Sequence, residues 1–227
     1  MLSEQMKKRL NPKKPAIVLE GHVDSDLKMA VNSIEGKYPQ KVCLYAGSLH
    51  RKNGIEKLVK AFSAADIKGA ELHIYGDGDY AEELKASNNK HVKYFGKAPN
   101  SIVVDEEVKA TLLINPRPTD AEFTKYSFPS KNLEYMASGT PLLTTRLPGM
   151  PKEHFEYVYL FDDETVEGMS RTLKEVLSKP ERELHQKGMD AKQYVMEGKT
   201  EKAQAKKILE MTGLCNPLRQ ESSPQSD

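Results

Sequence analysis

No stretch of this 227-residue sequence approaches the ~18 consecutive apolar residues that a membrane-spanning helix requires, and the mean hydropathy is −0.63. The first residues, Met1-Leu2-Ser3-Glu4-Gln5-Met6-Lys7-Lys8-Arg9, lack the apolar stretch of a secretory signal. Cysteine is scarce. Cys43 and Cys215 lie far apart, which excludes a disulfide framework and a metal-ligand spacing. Such usage leads us to expect a reduced, cytoplasmic setting. Charge of either sign is not in excess: 34 Lys and Arg stand against 33 Asp and Glu, a net +1. That balance removes the generic electrostatic case for nucleic acid or an anionic membrane surface. At this length one large domain or two small ones are expected, with roughly 70% of the unfolded chain's surface buried on folding.

What is present is an alternation of short apolar runs with longer amphipathic segments, the pattern of strand–helix units around a parallel sheet. Strands are expected at Lys41–Ala46, Ala70–Tyr75, His91–Phe95, Ala110–Ile114, Pro141–Thr144 and Tyr157–Leu160. Pro116 and Pro118 end the fourth, since neither can continue a central ladder. Ile55, Leu58, Val59 and Phe62 recur at i, i+3, i+4 and i+7, one face of a helix after Gly54. A helix through Glu83 and Leu84 follows the Gly76-Asp77-Gly78 turn, and another after Pro129 turns Leu133, Met136 and Ala137 inward and ends near Gly139. From Thr165 the chain reads as mostly helical. Val166, Met169, Leu173, Val176 and Leu177 share a face, Pro180 opens a further helix, and a last one runs from about Thr200 to Met211. The tail 215–227 is polar and Ser/Pro-bearing and is expected to be disordered. The fold class is therefore α/β, a doubly wound parallel sheet of about six strands, whose ligands sit at the carboxyl ends of the strands.

Three strand-end loops carry candidate chemistry. In Ala46-Gly47-Ser48-Leu49-His50-Arg51-Lys52-Asn53-Gly54, Gly47 admits close backbone approach, and Arg51 and Lys52 place two cations near a helix start, which suits a phosphate. The plain alternative is a helix-capping loop with solvated charges. In Phe128-Pro129-Ser130-Lys131-Asn132-Leu133-Glu134, Pro129 fits the first helical position, and the N–H groups of Ser130 and Lys131 face out along the positive end of the helix dipole. A diphosphate docks there without a metal, and Glu134, one turn further, either accepts hydrogen bonds from a ribose or is an ordinary exposed helix glutamate. The third loop is Gly96-Lys97-Ala98-Pro99. His22, His50 and His154 read as surface or loop histidines rather than bases, His50 standing out only for its place in the first loop.

Ala-Gly-Ser-Leu-x-x-x-Asn-Gly-Ile at 46–55, Ile-Tyr-Gly-Asp-Gly at 74–78, and Phe-Pro-Ser-Lys-x-x-Glu-Tyr-Met-Ala-Ser-Gly-Thr-Pro at 128–141 together resemble the group 1 family of retaining glycosyltransferases. More narrowly, they resemble the C-terminal, donor-binding half of a GT-B fold enzyme, from about Val18 to the last helix. The resemblance implies a nucleotide-diphosphate sugar as donor, a glycan or lipid-linked acceptor, and no metal or other cofactor. Of the family's two glutamates spaced by seven residues, the second falls on Glu134, at the ribose, and the first on Tyr126, with Glu122 nearby but out of register. Tyr126 and Glu134 are thus the candidate catalytic pair. Gly47, Ser48, Arg51, Lys52, Lys97, Ser127, Phe128, Ser130, Lys131 and Glu134 are the candidate donor contacts. The family's usual arginine after the first-strand glycine is Ser48 here and its usual lysine is Asn53, so Arg51 and Lys52 stand in by proximity, with Lys125 and Lys131 as further cations. The resemblance also implies that the base is gripped at 96–99, mostly by backbone.

Glu4–Leu10 as a helix, Ile17–Leu19 as a short strand and Gly21-His22-Val23-Asp24 as a crossover resemble the family's exit from its N-terminal domain. Residues 1–23 then read as a remnant of that exit and linker, 24–214 as the nucleotide-sugar-binding domain, and the acceptor-binding domain as absent from this chain. The leading expectation is an enzyme half that needs that domain as a partner. The alternatives are a module that binds a nucleotide-sugar or docks a partner without turnover, and half of a nucleotide-sugar epimerase.

Overall fold

In the computed structural model of the chain, which describes residues 1–10, 13, 15–25 and 29–213, six parallel strands form one sheet. They are β1 (Lys41–Ser48), β2 (Ala70–Asp77), β3 (Val92–Gly96), β4 (Leu112–Asn115), β5 (Leu142–Thr145) and β6 (Tyr159–Phe161). Their order across the sheet is β3-β2-β1-β4-β5-β6. The helices are α1 (Glu4–Leu10), α2 (Ile55–Ala65), α3 (Ala81–Ala86), α4 (Asn100–Lys109), α5 (Ser130–Ser138), α6 (Val166–Ser178), α7 (Glu181–Gly198) and α8 (Glu201–Thr212).

Parallel strands covered on both faces need apolar residues at every position, and β1 supplies them. Cys43 and Tyr45 join one core with α2, α3 and α6, while Val42, Leu44 and Ala46 join the other with α4, α5 and α7. Each Leu or Ile fully buried in this way contributes about 1.5–3 kcal/mol. The chain runs outward from β1 through β2 to β3, then returns to the opposite side at β4. The switch point therefore lies between β1 and β4, where such sheets open a crevice.

Several elements depart from the sequence expectation. The last strand begins at Tyr159 rather than Tyr157, because residues 152–157 coil into a 3₁₀ helix after Pro151, with the His154 N–H donating to the Pro151 carbonyl at 3.1 Å. Ala110 belongs to the end of α4, its N–H donating to Glu106, so β4 starts two residues later than expected. Helix α4 itself was not legible, since its inward face reads Val103, Val104, Glu107 and Val108, β-branched and interrupted by a carboxylate. Pro129 caps α5 from outside instead of opening it.

Near the start of the chain α1 forms as expected, whereas Ile17–Leu19 joins no strand and is tied to the first residue, Leu19 N–H donating to the Met1 carbonyl at 2.8 Å. Val23 is buried and makes a parallel bridge with Thr200, and Gln204 donates to the Gly21 carbonyl, so α8 is seated on the crossover segment. The expected disordered tail lies outside the described residues.

Candidate functional site

At the carboxyl end of the sheet, β4 pairs with β1 only at Cys43 and Leu44, so the facing edge of β1 is open beyond them. Tyr135 of α5 closes part of it. Its hydroxyl accepts from the Ala46 N–H at 2.7 Å and donates to the Ala46 carbonyl at 3.1 Å. Two cavities lie above. One, of about 220 Å³, is walled by the end of β1, the loop after β4 and the start of α5, with Ser48, Asn53, Arg117, Ser130 and Lys131 in its lining. The other, of about 380 Å³, lies between β1, β2 and residues 97–103, with Asp77, Lys97 and Asn100 in its lining. Gly47, Ser48 and Lys131 line both.

Two glycines hold these walls together. Gly76 has φ +135°, and a Cβ there would lie 1.8 Å from the Gly47 carbonyl oxygen. Gly54 has φ +84°, and a Cβ there would lie 2.1 Å from the Pro116 carbonyl oxygen. Only glycine allows both the left-handed backbone and the contact. Asn115 donates to Asn132 Oδ1 at 2.6 Å, and Thr144 donates to the Asn115 carbonyl at 3.1 Å, so the loop after β4 and the first turn of α5 are fixed to each other.

The site is cationic by three devices. Helix α5 has nine residues, and the N–H groups of Ser130 and Lys131 in its first turn have no partner inside the helix. Lys131 Nζ lies 2.8 Å from Glu134 Oε1 and 3.5 Å from Glu107 Oε1. Arg117 is half-buried, and desolvation holds its guanidinium below its ordinary value. Its Nε is buried without a partner, and the guanidinium lies 4.8 Å over the Phe123 ring. Glu107 is fully buried, and that burial pushes its carboxyl up to about 8 against the opposing pull of the Lys131 ammonium. Among the described residues no three His, Cys, Asp or Glu side chains gather as a metal-binding group.

The structure brings Gly47, Ser48, Phe128, Ser130 and Lys131 into the lining of the smaller cavity and Lys97 into that of the larger. Glu134 reaches the site through its ion pair with Lys131. Arg51 and Lys52 sit in a short 3₁₀ helix outside both linings, and Arg51 is engaged by Glu56 and Glu83 and packs over Tyr80. Ser127 donates to the Phe123 carbonyl. Tyr126 accepts from Arg9 at 3.2 Å, with the guanidinium 5.3 Å from its ring centroid, so α1 is fastened beside it. Glu122 is exposed, and Lys125 offers its carbonyl to Ser3 Oγ. His22 is exposed, and His50, also exposed, lies 3.3 Å from Asp79.

His154 corrects the surface reading. It is fully buried between Phe128 and Tyr194, and burial lowers it to about 3, so it is neutral across the physiological range. Sequence reasoning also missed Arg117, Asn115 and Glu107. Arg117 is within reach of the strand-end rule, for it lies two residues past β4, between the two prolines that end the strand.

A family model described as glycosyl transferases group 1 matches residues 40–179, more than half of the chain. No curated protein matches. Among solved structures, a sucrose-phosphate synthase from Thermosynechococcus elongatus is similar with a TM-score of 0.72 at 19% identity, over 94% of this chain and 57% of that one. HepE of Anabaena, solved in complex with UDP and glucose, gives 0.71 at 16% identity, over 88% of this chain and 57% of that one. The C-terminal domain of the group 1 family protein LpcC from Francisella tularensis gives 0.58 at 15% identity, over 74% of this chain and 95% of that domain. At these identities the likeness is one of fold, and this chain spans little more than half the length of the first two.

Proposed function

The chain belongs to the group 1 glycosyl transferases, and we propose that it binds a nucleotide-diphosphate sugar across the two cavities for retaining transfer to a glycan or lipid-linked acceptor. The observation that carries this reading is that both cavities meet at Ser48 and Lys131, beside the amino end of α5. A diphosphate placed there meets two free helix N–H groups and the cations of Lys131 and Arg117, with the nucleoside toward residues 96–100 and the sugar toward Arg117. The complex of HepE with UDP and glucose supports that class of donor.

Charge that develops on the departing diphosphate is met by dipoles and cations already in position, usually the largest single source of rate in such catalysis. No metal enters this scheme. Lys131 and Glu134, paired with each other in the free chain, separate on binding: the ammonium goes to phosphate and the carboxylate to the ribose hydroxyls. Tyr126 stands where the family has a carboxylate. Its hydroxyl can hydrogen-bond a sugar but cannot stabilise positive charge as a carboxylate does, and this favours a second reading, a module that holds donor without turnover. Under the first reading the acceptor is presented by an N-terminal domain.

Calorimetric titration with UDP-, GDP- and ADP-glucose tests the donor site. Glu134→Ala is expected to weaken the tightest of these by roughly 1–3 kcal/mol, the scale of hydrogen bonds to a charged group. Unchanged affinity in a folded variant refutes the ribose role. The same titration in excess chelator is expected to give the same affinity, and a loss of binding there would mean that a divalent cation belongs to the site.

A further inference from the structure

Glu107 is an ionisable side chain on the buried face of α4, and no part of the donor scheme above uses it. Its Oε1 lies 3.5 Å from Lys131 Nζ, and its Oε2 is buried with no hydrogen-bond partner. Lys131 is the cation shared by the two cavities. A buried carboxylate with a bare oxygen is tolerated beside a cation, and a buried carboxylic acid is tolerated without one. We propose that Glu107 is a positioning residue of the donor site, which takes up a proton when a nucleotide-diphosphate sugar draws the Lys131 ammonium onto its phosphates. This rests on the donor reading above.

The exchange balances simply. A nucleotide-diphosphate sugar has no phosphate proton to gain or lose near neutrality. On binding, Glu107 gives up part of its contact with a cation and gains two anionic phosphates nearby. Solvent supplies one proton to the carboxyl, and no covalent bond of the chain changes. Where the free chain holds Glu107 as a carboxylate, Lys131 is thereby released without leaving a naked charge in the core.

The groups around Glu107 decide how cleanly this is read. Helix α5 presents Lys131, Glu134 and the Tyr135 hydroxyl, the last fixed between the Ala46 backbone groups. After α5, Thr140 Oγ1 donates to the Glu107 carbonyl at 2.7 Å and accepts from Lys37 Nζ at 2.8 Å. On α4 itself Glu106 is held by the Tyr38 hydroxyl and Lys109. Burial lowers Lys37 to about 7, so it titrates in the same window and must be separated from Glu107.

The sign is fixed by linkage. Burial places the free carboxyl near 8, and the bound donor raises it further. Below both values Glu107 is protonated with or without donor, and affinity is flat. As pH rises through the free value, the free chain loses its proton and binding must restore it. Affinity then falls, by at most about tenfold per pH unit, until the donor-bound value is passed.

The test is calorimetry from pH 6.5 to 8.5, below the ionisation of the uracil and guanine ring N–H groups, with the tightest of UDP-, GDP- and ADP-glucose, in pairs of buffers that differ in ionisation enthalpy. The full chain is expected to take up a proton, up to one, above pH 8, with affinity falling over the same range. Glu107→Gln is expected to abolish both, and Lys37→Met to keep both. Absence of uptake in the full chain, or a slope that survives in Glu107→Gln, overturns the proposal. Carboxyl ¹³C NMR of the ligand-free chain separates this from failure of the donor reading. Glu107, identified by the resonance lost in Glu107→Gln, should titrate near 8 and move upward in Lys131→Gln. If it titrates in the ordinary carboxylate range, or ignores Lys131, the proposal falls even where donor binds. If it behaves as expected and none of the three nucleotide-sugars binds, the donor reading falls instead and takes the linkage with it.

Discussion

Arg117→Ala is expected to weaken nucleotide-diphosphate-sugar binding by about 3 kcal/mol, roughly 150-fold, the upper end for charge-assisted hydrogen bonds to phosphate. The side chain is organised for such a contact before any ligand arrives. Its backbone is held by prolines on both sides and by Thr145 Oγ1, which donates to its carbonyl at 2.5 Å. Its guanidinium rests over Phe123, and its Nε is buried without a partner. Little rotamer freedom is left to lose on binding, so most of the interaction is retained as affinity. Arg117→Lys is expected to recover only part of the loss, since an ammonium does not reproduce the planar fork. Arg51→Ala is expected to cost less than threefold, because Arg51 is exposed and already engaged by Glu56 and Glu83. Titration of the three variants, with thermal melts to verify folding, decides between the two loops. If Arg51→Ala loses more than Arg117→Ala, the diphosphate is held by the loop after β1 and not by the loop after β4.

The contrast between those two arginines shows which parts of the molecule were legible in the sequence. Strand positions such as Val42–Tyr45 and the inward face of α2 follow from local periodicity, and they are buried as that periodicity requires. The strand-end rule likewise located Gly47, Ser48, Ser130 and Lys131, because it depends only on where strands stop. Whether a cation is free is a different kind of fact. Arg51 meets Glu83, 32 residues away, only after β2 and α3 have packed beside β1. Arg117 enters the cavity through the close approach of Pro116 to Gly54 across the switch point. His154 shows the same dependence. Its burial against Phe128 and Tyr194 comes from two segments that nothing in its own neighbourhood announces. Glu107 was hidden for a further reason, since a carboxylate on an inward helical face argues against the helix that buries it.

The 227-residue chain by itself is expected to bind donor and to transfer no sugar. Orienting two reactants against each other supplies roughly 7–11 kcal/mol of barrier lowering, and under the proposed function the acceptor is oriented by a second domain. This chain spans 57% of the sucrose-phosphate synthase and of HepE, and the two cavities proposed to hold donor form at the end of its own sheet. Under that proposal, donor bound there is left wet on the side where an acceptor would stand. Addition of an N-terminal acceptor domain, fused or as a separate chain, is expected to restore turnover, read as sugar transferred from labelled donor. Robust transfer by the chain alone would overturn the requirement for that domain. Absence of transfer even with the domain would favour the module that only holds donor, and Tyr126→Glu is then the variant to make. That substitution has a built-in obstacle. Arg9 donates to the Tyr126 hydroxyl and lies over its ring, so a carboxylate at 126 would be paired with a guanidinium before any sugar arrived. Tyr126→Glu is therefore expected to gain activity only together with Arg9→Ala, which frees the carboxylate to face the developing charge of the transferred sugar.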